Sequence, residues 1–381
     1  MHNVPADSAF LAAKFTRLLK EVDVHLLVWD EKKRIEEFIK KYRLEDYKKR
    51  IYNGIAKKID VWSNGSAFLK VFFTNSKARN YLVHGNAKVV LKYLPVFDIV
   101  PDIIHFEFGT LANHIADIKK LTAIKTIVSF RGYDLNYVGL QNKEYYNHIW
   151  KFADALHFLG NDLRKRAIDR GYKEDKIEAL IPPAVDESFF YKEKQDSRNE
   201  KFTIVSIGRL TWKKGYEYAI QAMKLLRDKG IDFRYHIVGE GQHRQAIEYA
   251  IHENKLEECI LLHGGKSPEY IRNVLQSADL FLHPSISEGF SNAVVEAQAC
   301  GVPVVCTDAD GLAENIEVGI TGFVVPKWDA EAIADKIEWC MANRTALNDM
   351  GMAGVERVQE KFTIDMQVKS FIELYNKVYE G

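Results

Sequence analysis

The sequence predicts an α/β protein of two domains, each built on a parallel sheet, with the two sheets facing one another across a cleft. Three observations carry that prediction. At 381 residues the chain is too long for one ordinary hydrophobic core and suits two. Short β-rich apolar runs alternate with longer helical patterns throughout, the signature of βαβ units. A polar, Lys- and Asp-rich segment at 191–200 breaks the apolar periodicity after Pro182-Pro183 and marks a linker.

In the first series the expected strands are 22–28, 102–106, 125–130, 155–159 and 177–181, with helical patterns between them. The chain opens in polar sequence where an apolar strand would be expected, so a first strand of about ten residues is read as lacking. The second series has strands at 202–207, 233–238, 260–262, 280–283 and 304–306. Its helices are expected near 215–229, 244–254, 268–277, 292–299 and 330–341. A last helix, 366–378, carries Val368, Phe371, Ile372, Tyr375 and Val378 at helical spacing and should bury one face. The aromatic-rich run 71–93 reads as helical core.

Composition narrows the function class. With 47% hydrophobic and 28% charged residues and no apolar run long enough to span a bilayer, the chain reads as soluble and globular. No secretory signal pattern opens it, so a cytoplasmic location is expected. Cys259, Cys300, Cys306 and Cys340 lack zinc-ligand or disulfide-framework spacing and read as buried or incidental thiols. The net charge of zero hides an asymmetry. Up to Val185 there are 31 Lys and Arg against 22 Asp and Glu, and beyond it 22 against 31. Much of the positive excess lies in 31–58, where cations interleave with apolar residues at helical spacing. That stretch fits either an anionic membrane surface or a helix packed on its own domain. No nucleic acid partner is expected.

The chemistry concentrates in the second series. Residues 280–305 read LFLHPSISEGFSNAVVEAQACGVPVV: a strand, a loop with Glu288, Gly289 and Phe290, and a helix starting near Ser291-Asn292 with Glu296 in its second turn. This pattern sets backbone N–H groups and a helix N-terminus at the carboxyl edge of a parallel sheet, where anionic ligands bind. The carboxylates Glu288 and Glu296 can accept hydrogen bonds from paired hydroxyls. Earlier, in 204–223, the strand leads into Gly208-Arg209 and then Lys213-Lys214-Gly215. Arg209 and Lys214 bracket a place for a diphosphate and could neutralise it without a metal.

The pairing of SIGRLTWKKGYEYAI with HPSISEGFSNAVVEAQACGVPVV, followed by DADGLAENIEVGITGFVVP, resembles the family-4 retaining glycosyltransferases with the GT-B fold, two Rossmann-like domains. The resemblance is specific over 202–326. A weaker one extends through PDIIHFEFGTLANHIA and IVSFRGYDL toward bacterial enzymes that build exopolysaccharide or lipopolysaccharide. It implies an acceptor-binding domain at 1–190, a nucleotide-sugar domain at 201–355 and a C-terminal helix, 356–381, crossing back to the first domain. It assigns Glu296 to ribose hydroxyls, Glu288 to the donor sugar, Arg209 and Lys214 to the diphosphate, and the backbone of Gly289 and Phe290 to sugar and phosphate. Gly208, Ser291 and Asn292 join the donor side, and Glu314 matches a frequent family glutamate. Transfer would be a same-face displacement in which the departing diphosphate helps deprotonate the acceptor hydroxyl.

On the acceptor side Arg131 stands where many members of the family have histidine. An arginine cannot serve as a general base near neutral pH. Attention therefore moves to His105, Glu107 and His114, with Arg131 and Asp134 as further candidates. The implied partners are a nucleotide diphosphate sugar and a glycan or polyprenyl-linked acceptor, with no cofactor and no metal. Asp308-Ala309-Asp310 spells DxD but sits in a turn after a strand and is read as a turn; Gly239 and Gly241 are read as a tight βα turn. The alternatives are a nucleotide-sugar epimerase of the same architecture and an inactive sugar-nucleotide-binding scaffold.

Overall fold

The computed structural model describes residues 9–28, 32–53, 65–85, 87–193 and 201–381. The chain divides into two compact units, 1–158 with 164–181 and 368–381, and 159–163 with 182–367. The division therefore falls at Ile181/Pro182, and the final helix, Ile364–Glu380, belongs to unit 1 from Val368 onward.

Unit 1 holds β1 (Leu26–Val28) paired in parallel with β2 (Ile51–Asn53), and a separate parallel sheet of β3 (Ile103–Phe106), β4 (Lys125–Phe130), β5 (Ala155–Phe158) and β6 (Ile177–Leu180), in that spatial order. The expected strand at 22–28 is real only at its end. The first strand read as lacking falls at the opening of the chain, residues 1–8, outside the described residues. Phe371, Leu374 and Val378 of the final helix close over Ile127, Ala155 and Ile181. The basic stretch 31–58 lies partly outside the described residues. Where it is described, Ile35, Phe38, Ile39 and Leu44 are buried together with Phe15, so the stretch packs on its own unit.

Unit 2 is a six-stranded parallel sheet in the order β12-β11-β10-β7-β8-β9. Its strands are β7 (Phe202–Ile207), β8 (Phe233–Val238), β9 (Ile260–Leu262), β10 (Leu280–His283), β11 (Val304–Thr307) and β12 (Gly322–Val325). Central β7 is buried along its whole length, as a strand covered on both faces must be. Helices Tyr216–Asp228 and Ala330–Ala342 bury Ala219, Met223, Leu226, Ile333 and Ile337 against it. Helix Pro268–Gln276 starts as its sequence dictates, with proline in its first turn and the Ser267 hydroxyl accepting the Tyr270 N–H. Two strands, β2 and β12, and the helix at 344–355 were not expected, and the single C-terminal helix expected over 356–381 is instead the end of helix Arg344–Lys361 followed, after a break at Phe362-Thr363, by helix Ile364–Glu380. All four cysteines are free and buried.

Candidate active site

Two loops at the carboxyl edge of the unit 2 sheet build the site. The first follows β7 and turns through Trp212–Lys214 into Gly215, whose φ of 61° is left-handed. A Cβ there would lie 2.1 Å from the Pro284 carbonyl oxygen, so only glycine lets the loop after β10 come this close. The Lys213 carbonyl then accepts the N–H groups of Ile286 and Ser287 at 2.7 and 3.3 Å.

That approach sets the Lys214 ammonium directly on the Glu288 carboxylate. It also leaves the ammonium 3.3 Å from Nε2 of His283, the residue that ends β10. His283 is 2% exposed, and burial, with the Lys214 charge beside it, lowers its pKa to about 4. The imidazole is therefore neutral near pH 7 and accepts from Lys214. Burial alone would raise the Glu288 carboxyl; Lys214, first by its charge, and His283 together outweigh it and hold that carboxyl well below the usual carboxylate range.

The Glu288 loop is anchored from the β11 side. Asp310 accepts the Ser287 hydroxyl and, at 3.2 Å, the Glu288 N–H. The Glu288 carbonyl accepts the Gly311 N–H at 3.1 Å. The Asn315 side chain bonds both ways with the Ser291 backbone, at 3.1 and 2.9 Å. Asp308 accepts the Lys327 N–H at 2.8 Å. Both acids of the DxD triplet thus bind protein donors. Among the described residues, no three His, Cys, Asp or Glu side chains are grouped to hold a metal ion.

Glu296 differs from every other carboxylate in the site. It is partly buried on helix Asn292–Ala299 and has no hydrogen-bond or ion-pair partner among the described residues. Burial raises its pKa to about 7. No side chain caps that helix's N-terminus at Ser291, so its first N–H groups are open to a ligand. Phe290 packs on Phe362, ring centroids 5.8 Å apart. Gly208 carries the Lys214 stem against it: a Cβ there would lie 3.3 Å from Lys214 Cε. Arg209 and Asn292 are exposed at the same edge.

Glu314, expected on the donor side, is engaged with backbone. Within unit 2 its carboxylate accepts the backbone N–H groups of Asn161 and Asp162 at 2.8 and 2.7 Å, capping helix Asn161–Asp169. His283, Asp310 and Asn315 were not singled out from sequence. Their roles depend on contacts between loops far apart in the chain.

The acceptor-side candidates lie in unit 1. Glu107, after β3, is held by Lys14 at 2.5 Å and by Arg131, after β4, at 2.9 Å. Lys14, 4% exposed, was missed. Its ammonium also sits 3.6 Å over the Phe371 ring. Asp134 is fully buried and accepts the N–H groups of Arg131 and Thr110 at 2.9 and 3.0 Å, a helix-capping role. His105 has both ring nitrogens engaged, one with the Tyr375 hydroxyl at 2.9 Å and the other with Ser129 Oγ at 2.7 Å. The chain continues through His157 to the Ile181 carbonyl. Burial holds His105 well below the usual histidine range, so the imidazole is neutral near pH 7 with both nitrogens engaged. His114 stands apart, 3.5 Å from Asp117.

Known proteins fit this geometry. Residues 187–357 match the family model of the glycosyl transferases group 1. The chain is 29% identical to the amylovoran biosynthesis glycosyltransferase AmsK of Erwinia amylovora, covering 72% of this chain and 70% of that one. It is 28% identical to the putative colanic acid biosynthesis glycosyltransferase WcaL of Salmonella typhimurium, covering 72% and 71%. Its fold is that of HepE from Anabaena, solved in complex with UDP, at a TM-score of 0.78 and 16% identity over 99% of this chain and 98% of that one. A glycosyltransferase from Rickettsia africae follows at a TM-score of 0.72, 22% identity, 96% and 93% coverage. The chain carries a glycosyl transferases group 1 domain on a GT-B fold and is a glycosyltransferase.

Proposed function

We propose that the protein is a retaining hexosyltransferase that takes its sugar from a nucleotide diphosphate donor and elongates a glycan of a cell-surface polysaccharide. The observation that carries this reading is the meeting of Lys214, Glu288 and neutral His283 beside an unpartnered Glu296. The diphosphate is drawn to Lys214 and Arg209 and to the open helix N-terminus; it displaces Glu288 from the ammonium, and the freed carboxylate turns to the donor sugar. Glu296 takes the ribose hydroxyls. Charge developing on the leaving diphosphate is neutralised by side chains with no metal required, and the acceptor hydroxyl loses its proton to that diphosphate. HepE, which has this fold, has been solved in complex with UDP and with UDP-glucose, which makes uridine donors the first to test. A thermal-shift screen of nucleotide diphosphates and their sugars, with and without EDTA, should give a melting rise for one nucleotide class that EDTA leaves intact. No rise with any nucleotide, or one that EDTA abolishes, contradicts the reading.

The glycan is proposed to be carried on a polyprenyl lipid, with the enzyme resting on the cytoplasmic membrane face. Support comes from helix Gly65–Thr74, where Leu69 and Phe73 are 53% and 71% exposed. Residues 65–97 carry Lys70, Lys77, Arg79, Lys88 and Lys92 and no Asp or Glu. Among the described residues no helix is long and apolar enough to cross a membrane. Phe73→Ser should cut co-sedimentation with phosphatidylglycerol vesicles severalfold; unchanged sedimentation contradicts a membrane role for this helix.

A further inference from the structure

Trp328 occupies a position that packing does not explain. It follows β12 in the run Pro326-Lys327-Trp328-Asp329, is 55% exposed, and has φ of 65°. Left-handed backbone is unfavourable for any side chain with a Cβ and most so for a bulky one. Holding an indole there, in water, costs both backbone strain and apolar exposure. Strain of this kind collects at ligand sites.

Lys327 wires this residue to the donor loop. Its N–H donates to Asp308, and its ammonium lies 3.9 Å from Asp310, whose carboxylate also accepts from Ser287 and the Glu288 N–H. The same ammonium lies 4.7 Å from the Trp328 ring centroid. One indole face thus carries a cation while more than half of the residue stays exposed. A second indole, Trp212, is 48% exposed on the loop that carries Lys214. Because β7 and β12 flank β10 and β11, the two tryptophans stand on either side of the Glu288 loop along one sheet edge.

We propose that Trp328 is a stacking platform for a pyranose ring of the glycan, a saccharide subsite next to the donor loop and separate from it. The C–H face of a pyranose is weakly positive and apolar, which matches the negative face of an indole by the same physics that seats the Lys327 ammonium. Its hydroxyl rim can remain in water. The proposal rests on the donor reading above only in calling this glycan the acceptor; the stacking stands without it.

The test uses Trp328→Gly in the full chain, since glycine adopts the same φ without strain. Maltotetraose, cellotetraose and mannotetraose are titrated while tryptophan emission is followed, with and without nucleotide sugar. The wild type should show a saturable emission change with at least one tetrasaccharide. The variant should bind it about 3- to 10-fold more weakly, the range expected if the ring contributes as much as an aromatic pair. Its melting temperature should be no lower than the wild type's, and its thermal shift with nucleotide sugar should be unchanged. A variant that keeps the full response overturns the proposal, as does the absence of a saturable response in the wild type. So do displacement at Trp328 by uridine or guanosine, and a lowered melting temperature accompanied by lost nucleotide binding. Failure of the donor reading would appear separately, as no thermal shift with nucleotide sugar in the wild type.

Discussion

The carboxyl edges of the two larger sheets both gather acids and bases, yet they treat them differently. At the unit 1 edge, Glu107 is held by two cations, His105 has both nitrogens bonded and Asp134 caps a helix. At the unit 2 edge the loops are tied by backbone bonds while Glu296 has no partner and a helix N-terminus is uncapped. Buried polar groups that bond one another stabilise the fold; buried polar groups left waiting cost stability and are kept for a ligand. Substitutions should therefore cost activity at one edge and stability at the other.

The largest effect is expected at the site itself. Lys214→Ala removes the ammonium that faces Glu288 and the incoming diphosphate, and should lower kcat about 10²- to 10³-fold, the scale of losing one preorganised electrostatic donor. Its melting temperature should fall too, because the buried Glu288 loses its cation partner, but the variant should stay folded under assay conditions. Wild-type turnover in this variant, measured by release of nucleotide diphosphate, would break the comparison.

Lys14→Met sharpens it from the other side. The apolar stem over Phe371 is retained but the charge on Glu107 is lost, leaving Arg131 as the partner. A loss of about 2–3 kcal/mol is expected in denaturant unfolding, somewhat below the cost of orphaning a buried ion completely. An unchanged midpoint would show that Arg131 alone satisfies Glu107.

Much of this layout is legible in the sequence, for physical reasons. Strands such as Phe202–Ile207 and Leu280–His283 read correctly because central parallel strands are mostly apolar runs bounded by turn residues. Edge strand Gly322–Val325 opens with glycine directly after the turn that begins at Gly319, so its start carries no strand signal. The first two-thirds of helix Arg344–Lys361 is hard to read from sequence because Gly351 and Gly354 weaken its helical propensity. The reason for Gly351 is tertiary: a Cβ there would lie 2.2 Å from the Gly301 carbonyl oxygen. The site shows the same division. Glu288, Glu296 and Lys214 lie in local motifs, whereas the capping role of Glu314 and the isolation of Glu296 exist only once distant segments meet.

That isolation is the central claim, and a pH series measures it. The Glu296 pKa is raised from its ordinary value to about 7. Below about pH 4.5 the carboxyl is neutral in both folded and unfolded chains; between 4.5 and 7 only the unfolded chain ionises, so its contribution to stability falls with rising pH and is lowest above 7. Glu296→Gln should accordingly melt higher than the wild type at pH 8 and alike at pH 4.5. Ribose hydroxyls donate to the ionised form, so binding should gain what folding loses. The decisive experiment is calorimetric titration of the nucleotide sugar that gives the largest thermal shift, whose diphosphate diester has no ionisation near neutrality. Wild-type affinity should rise about tenfold from pH 6 to pH 8, as the ionised fraction does, and in Glu296→Gln it should be flat. Equal pH dependence in the two proteins would contradict the account.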